Sequence, residues 1–309
     1  MIIQTGLRTD IPAFYAPWFA NRLREGFVLV RNPYNYHQVT RYRLNPQVVD
    51  LIAFCSKNPA PLLPYGELLA PYGQYWFVTI TPYGRAVEPH VPDKRAVIQS
   101  FRELSRRLGP HCVGWRYDPI FLSDVYSIEY HLHAFEKIAA ALAGFTHTCV
   151  ISFIDLYQKV RRNFPEAREV SPADRLTLGK EMIRIAGRYD MVLRPCAEGD
   201  ELAPYGADCG GCMTIAVYES ALRTRLRAPK RKSPRSECAC FMGNDIGLYD
   251  TCPHLCRYCY ANNDPTAVAR NRRRHDPLSP FLIGTGEAGD ILHEARQESW
   301  VDGQLTLEF

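Results

Sequence analysis

Three cysteines late in the chain, Cys252, Cys256 and Cys259, stand at C-x3-C-x2-C spacing in Cys252-Pro-His-Leu-Cys256-Arg-Tyr-Cys259. Three thiolates on one short loop can hold three irons of a four-iron cubane, a 4Fe-4S cluster, and leave the fourth iron open to a substrate or cofactor. A structural zinc site asks for four protein ligands, usually as two C-x2-C pairs, so zinc is the poorer match to this triplet. Tyr258 and Tyr260 flank the last cysteine and are expected to shield the cluster rather than carry a radical. Five more cysteines precede the triplet: Cys196, Cys209, Cys212, Cys238 and Cys240. Four of them would complete a second, auxiliary cluster, and the simplest set is Cys209 and Cys212 with Cys238 and Cys240. The same four suit a structural zinc ion, and free thiols are the third reading. Cys55, Cys112 and Cys149 sit in apolar segments and read as buried free thiols.

These ligands need a scaffold, and the apolar runs supply one. Ile2 to Thr5, Phe27 to Val30, Val48 to Phe54, Tyr75 to Ile80, Val113 to Tyr117, Cys149 to Ile154 and Met191 to Leu193 read as buried parallel strands. Amphipathic helices fall between several of them, most clearly Lys94 to Leu108, Ile128 to Leu142 and Pro172 to Gly187, the last with Ser171 as N-cap and proline at the first helical position. This alternation predicts an α/β fold. Polar residues follow nearly every run, among them Arg8 and Asp10, Arg31, Lys57, Arg116 with Asp118, Asp155, and Cys196. In a barrel of parallel strands those ends converge on one mouth, whereas a doubly wound sheet gathers them only at its switch point. The expectation is therefore a complete or partial parallel (β/α) barrel over residues 1–196. Residues 197–309 would form a cysteine-rich iron-sulfur cap that needs its metal to fold. Asp10, Lys57, Arg116 and Asp118 are the candidate substrate-handling side chains; the competing reading of Arg116 with Asp118 is a structural ion pair. His131 and His133, two apart on a helix, face different ways and do not make a metal pair.

The 309 residues, 46% hydrophobic and 23% charged, can build a large core, which excludes a wholly disordered chain. No stretch approaches the roughly 20 apolar residues that cross a bilayer, and the first residues lack the pattern of a secretory signal, so no membrane partner and a cytoplasmic location are expected. The net charge of +4 is too small to diagnose a nucleic-acid binder. Its distribution matters more: seven Lys and Arg and no acid lie between Arg223 and Arg235, and Arg270 to His275 is a second basic run. Solvated loops or an anionic partner near the metal explain them equally well.

The triplet, with an aromatic residue before its third cysteine, resembles the hallmark of the radical S-adenosylmethionine enzymes. The resemblance implies that S-adenosylmethionine chelates the open iron through its amino and carboxylate groups. An electron delivered by a donor such as flavodoxin or ferredoxin then cleaves the sulfonium to methionine and a 5'-deoxyadenosyl radical, which abstracts hydrogen from a substrate. The departure is location, because the family's triplet usually follows the first barrel strand. Gly284-Thr-Gly-Glu-Ala-Gly289 resembles the glycine-and-acid motif that holds the cofactor's amino group, which makes Gly286 and Glu287 candidate cofactor residues beside Tyr258. Across nearly the whole chain, Arg8-Thr-Asp-Ile-Pro12, Lys57-Asn-Pro59, Trp115-Arg-Tyr-Asp-Pro119, Asp245-Ile-Gly and Cys252 to Asn262 resemble a bacterial family catalogued as domain of unknown function eighteen-forty-eight. Trp115 to Pro119 is also similar to a segment of spore photoproduct lyase, a DNA-repair enzyme. The last residues, with Gln304, Leu305, Leu307 and Phe309, resemble peptides by which bacterial repair proteins bind the sliding clamp. The expected function is thus radical chemistry on an unknown substrate, with nucleic acid the first candidate. The rivals are a non-catalytic iron-sulfur protein for electron transfer or redox sensing, and a zinc-stabilised nucleic-acid-binding module.

Overall fold

A computed structural model describes residues 1–230, 238–241 and 244–302. Ten strands are present among them: β1 (Ile2–Gln4), β2 (Phe27–Asn32), β3 (Asn35–Arg43), β4 (Leu51–Ser56), β5 (Gly73–Thr79), β6 (Val113–Ile120), β7 (Thr148–Phe153), β8 (Val192–Pro195), β9 (Asn244–Asp245) and β10 (Ile291–Glu294). Seven of them form one sheet in the order β8-β7-β6-β5-β4-β1-β9, with every pairing parallel. Strands buried on both faces read as unbroken apolar runs rather than alternations, which is why Leu51 to Phe54 and Tyr75 to Val78 could be recognised. From β4 to β8, neighbours in the sheet are neighbours in sequence, so the sheet is wound in one direction and has no switch point. Among the described residues no pairing joins β8 to β9, and the sheet is open between these edges.

The three expected helices, Lys94–Leu108, Ile128–Leu142 and Pro172–Gly187, occur with those bounds. Each buries residues at helical spacing in one hydrophobic cluster: Val97, Phe101 and Leu104; Phe135, Ala139 and Leu142; Leu178, Met182 and Ile185. Their starts are fixed by side-chain caps, with Asp93 accepting from Arg95 N, Ser127 from Tyr130 N and Ser171 from Asp174 N. His131 is core: its ring nitrogens meet Phe121 O at 2.8 Å and the Tyr117 hydroxyl at 2.9 Å.

Phe27 to Val30 does not join the parallel sheet. Only Pro33 and Tyr34 separate β2 from β3, and so short a link permits only an antiparallel pair, which β10 extends by lying parallel to β3. Arg31 is therefore not at a strand mouth. It is buried beneath a loop and forks onto Asp290, with Nη2 to Oδ2 at 2.8 Å.

The segment beyond residue 196 is built into the same core. It contributes β9 to the edge of the main sheet, and Cys212, Tyr218, Leu226, Ile246 and Trp300 belong to the cluster that contains Ile2, Leu51 and Leu193. Among the described residues no helix is long and apolar enough to cross a membrane. The tail with Gln304 to Phe309 and the last part of the Arg223 to Arg235 basic run, residues 231–235, lie outside the described residues.

At the β9 edge, Asp245 is buried with Arg8 Nε 3.2 Å from its Oδ2. Burial raises its pKa to about 6, with Arg8 and backbone amides offsetting part of the effect. The unfolded carboxyl titrates near 4, so the folded state gains from proton uptake below that pH and loses the gain as pH rises through about 6. Asp245→Asn should remove this dependence, giving a variant more stable than wild type by about 1–3 kcal/mol at pH 7 but not at pH 4. Urea unfolding at the two pH values checks it, and parallel curves for the two proteins would refute it.

Candidate metal centre at the carboxyl edge of the sheet

All seven parallel strands point the same way, so their carboxyl ends share one edge of the sheet. There a cavity of about 410 Å³ opens. Its wall takes Thr9 and Asp10 from beyond β1, Ser56 and Lys57 from β4 and its exit, Thr79 from β5, Arg116 and Asp118 from β6, Asp155 from beyond β7, and Cys196 and Glu198 from beyond β8. Gly6 permits the first of these approaches, because a Cβ at that position would lie 2.2 Å from the Cys55 carbonyl oxygen. The triplet Cys252, Cys256 and Cys259 lines the same cavity, as do Cys212, Cys238 and Cys240. Cys55, expected as a bystander, also reaches it.

The triplet loop is fastened from several sides. His254, in the gap between the first two cysteines, places Nε2 2.9 Å from Asp10 Oδ2. Asp10 also accepts from Ser56 Oγ at 2.7 Å, from Lys57 N at 2.7 Å and from Ala13 N at 3.0 Å, the last as a helix N-cap. Its carboxylate is fully engaged in joining β1, β4 and the cysteine loop, so Asp10 positions the site. Arg257 donates to Asn163 O at 3.0 Å and to Glu166 at 2.7 Å. Asn262 Nδ2 holds the Cys252 carbonyl at 2.8 Å, while Ala261 N points at Cys259 Sγ from 3.3 Å. Leu255 adopts φ 54°, a left-handed conformation rare for a branched residue and tolerated where surrounding contacts fix it.

Tyr258 and Lys57 converge on Glu88, whose side chain is 0% exposed. Its carboxylate takes Lys57 Nζ at 2.9 Å, Thr81 Oγ1 at 2.7 Å, Lys94 and the Tyr258 hydroxyl. Burial alone would raise the Glu88 pKa; the two ammonium groups outweigh it and hold the group at about 2. Burial pushes the Cys256 and Cys259 thiols up, and Lys57, anchored as a cation close to them, offsets part of that rise.

Arg116 and Asp118 are two residues apart on β6 and share a face. Arg116 Nη2 meets Asp118 Oδ2 at 2.6 Å, and Arg116 Nη1 lies 3.6 Å from Cys212 Sγ. The register shift between Tyr117 and Ile120 ends regular pairing here and frees Asp118 to turn along the wall.

The other cysteines do not group as C-x2-C with C-x-C. Cys196, Cys212 and Cys240 bring their sulfurs within 4.8 Å of one another. Cys238 stays on the cavity wall outside that group, and Cys209 lies on neither. Cys209 and Cys212 straddle Gly211, whose φ of 104° turns the chain so that only Cys212 enters the interior. Gly286 and Glu287 are also away from the cavity. Glu287 accepts from the Tyr36 hydroxyl at 2.7 Å, in the loop that Asp290 ties to Arg31. His254, Glu88, Thr81 and Asn262 are site residues that spacing alone does not reveal; His254 could have been suspected from its place between two ligands.

Fold and site together define a parallel α/β protein with a cavity at the carboxyl edge of its sheet, lined by a cysteine cluster that could hold a metal ion. The chain belongs to the family described as Domain of unknown function (DUF1848), whose model matches residues 2–261 and so spans every cysteine. No curated protein and no solved structure matches it.

Proposed function

We propose that the chain is an iron-sulfur enzyme of the radical S-adenosylmethionine type, with Cys252, Cys256 and Cys259 as the ligands of a 4Fe-4S cluster. The observation that carries this reading is that the triplet opens onto the same cavity as the carboxyl ends of a singly wound parallel sheet, the arrangement in which barrel-type enzymes keep their reactive groups. The donor set fits the group. Three thiols and no fourth ligand from the loop leave one iron open, and the three sulfurs are not all within 4.8 Å of one another, as suits ligands on separate irons. Asn262 Oδ1 is buried without a partner beside the loop and can orient a ligand there.

A 4Fe-4S cluster held by Cys252, Cys256 and Cys259 and reduced by an external one-electron donor would supply the electron for cleavage of S-adenosylmethionine, and with it the means of hydrogen abstraction from substrate. The chain's own residues set the conditions. Lys57, fixed by Glu88, offsets the negative charge of the thiolates. Tyr258, packed with Tyr83 and Phe121, closes the apolar side of the loop and keeps water from it. Arg116 and Asp118 offer a donor and an acceptor on the cavity wall for a polar substrate. A volume of about 410 Å³ is that of a small-molecule site, and it also admits one nucleotide extruded from a strand.

Anaerobic reconstitution with iron and sulfide, followed by S-adenosylmethionine and dithionite, should yield 5'-deoxyadenosine and a changed electron paramagnetic resonance spectrum on cofactor addition. A cluster that forms yet gives neither would leave the protein as an electron carrier and overturn the enzyme reading.

A further inference from the structure

We infer that Cys196, Cys212 and Cys240 form a second, mononuclear site for a thiophilic divalent ion of the zinc type, with a fourth coordination position that is open to the cavity and takes an exogenous sulfur donor. The site stands independently of the radical reading. Its ligands come from three separate segments: the exit of β8, the turn after Gly211 and the approach to β9. Convergence of three thiols from such distant points is not a by-product of one local turn.

Spacing distinguishes one ion from a cluster. Cys212 Sγ is 3.2 Å from Cys196 Sγ and 3.2 Å from Cys240 Sγ, and the three lie mutually within 4.8 Å. Thiolates about 2.3 Å from one tetrahedral ion are themselves about 3.8 Å apart. Ligands of a cubane are held on different irons and must spread farther, as the Cys252 triplet does. Three thiolates select zinc or ferrous iron over the harder calcium and magnesium.

The surroundings suit a charged centre. Three thiolates around a divalent ion carry one net negative charge, and the Arg116 guanidinium lies 3.6 Å from Cys212 Sγ to face it. Met213 N approaches Cys240 Sγ at 3.4 Å, a backbone donor of the kind that orients metal-bound sulfur. Among the described residues no fourth His, Cys, Asp or Glu joins the group, while all three cysteines line the cavity. Three protein ligands with an open position is the arrangement of a reactive rather than a purely structural zinc ion. A soft centre of this kind binds thiols, so the ligand class is a small molecule bearing a thiol.

The test uses the full chain carrying Cys252→Ala, Cys256→Ala and Cys259→Ala, together with wild type before iron is added, so that a failure of the radical reading leaves it intact. Loaded anaerobically with cobalt(II) or zinc, each protein should bind one ion per chain. Cobalt should show thiolate charge-transfer absorption, and 2-mercaptoethanol should shift its ligand-field bands. Cys212→Ser and Cys240→Ser should lose the ion, whereas Cys209→Ser and Cys238→Ser keep both the ion and the thiol response. Three results overturn the inference: no bound ion, about four irons per chain after reconstitution of the triple variant, or loss of the ion in Cys238→Ser with cobalt bands in the parent that ignore added thiol. The last two hold even if Cys212→Ser or Cys240→Ser fails to fold.

Discussion

Replacing Cys252, Cys256 and Cys259 together by alanine should remove the cluster, about four irons per chain with their inorganic sulfide, and abolish 5'-deoxyadenosine formation. In the proposed cluster each thiol would ligate a different iron, so single substitutions should also prevent a stable cubane. The effect should be specific to these positions, because Cys149 is wholly buried inside β7 and does not line the cavity. Cys149→Ala should keep its iron at a modest cost in stability. Iron and sulfide analysis of wild type and these variants after identical reconstitution checks the prediction. Full iron retention in the triple variant would move the cluster to the other cysteines and remove the reason for an open iron at the triplet. The fold should survive the triple substitution. The loop is tied to the body by His254 to Asp10, by Asn262 to the Cys252 carbonyl and by Arg257 to Glu166, none of which uses a thiol.

The parts of this molecule that could be read from sequence are those encoded by local pattern. The helices from Lys94, Ile128 and Pro172 were legible because their caps and apolar spacing agree. The strands of the main sheet were legible because burial on both faces demands unbroken apolar runs. The run Phe27 to Val30 resembles the strands of that sheet over a few residues, but the short Pro33-Tyr34 connection, not the composition, determines its pairing with β3, which has no such apolar run to announce it. β9 was invisible, since two residues carry no periodicity and Asn244 and Asp245 are poor strand formers. The same division holds at the site. Spacing identifies Cys252, Cys256 and Cys259, which share one loop. It misgroups the other cysteines, because Cys196, Cys212 and Cys240 meet only through the packing of distant segments, and it gives no hint that Gly286 and Glu287 are drawn away toward Arg31 and Tyr36. Asp10 and Lys57 were located at strand ends, but their partners His254 and Glu88 lie 244 and 31 residues away in the chain, beyond any local rule.

Glu88→Ala should destabilise the protein by about 3–5 kcal/mol, the cost of breaking a buried ion pair by removing one partner. Glu88 is the sole acid against two ammonium groups in its immediate contacts, Lys57 and Lys94, and it also accepts the hydroxyls of Thr81 and Tyr258. Alanine leaves Lys57, only slightly exposed, with its charge uncompensated. Glu88→Gln keeps the volume and an acceptor for the hydroxyls, so it should cost less. If repulsion between stranded cations is the cause, Lys94→Met added to Glu88→Ala should recover part of the loss, although the same change in wild type removes a favourable partner. The pH dependence follows from the same geometry. The folded Glu88 pKa, about 2, lies below that of the unfolded carboxyl near 4.5. Its contribution is therefore fully present above 4.5 and declines as pH falls toward 2. Urea unfolding at pH 7 and pH 3 measures both effects, and the gap between wild type and Glu88→Gln should narrow in acid. A cost below about 1 kcal/mol for Glu88→Ala at pH 7 would mean that water already reaches this group. The consequence extends to the metal centre, because Tyr258 immediately precedes Cys259 and Lys57 faces Cys256. Loss of Glu88 should release both and slow cluster assembly even at temperatures where the variant remains folded.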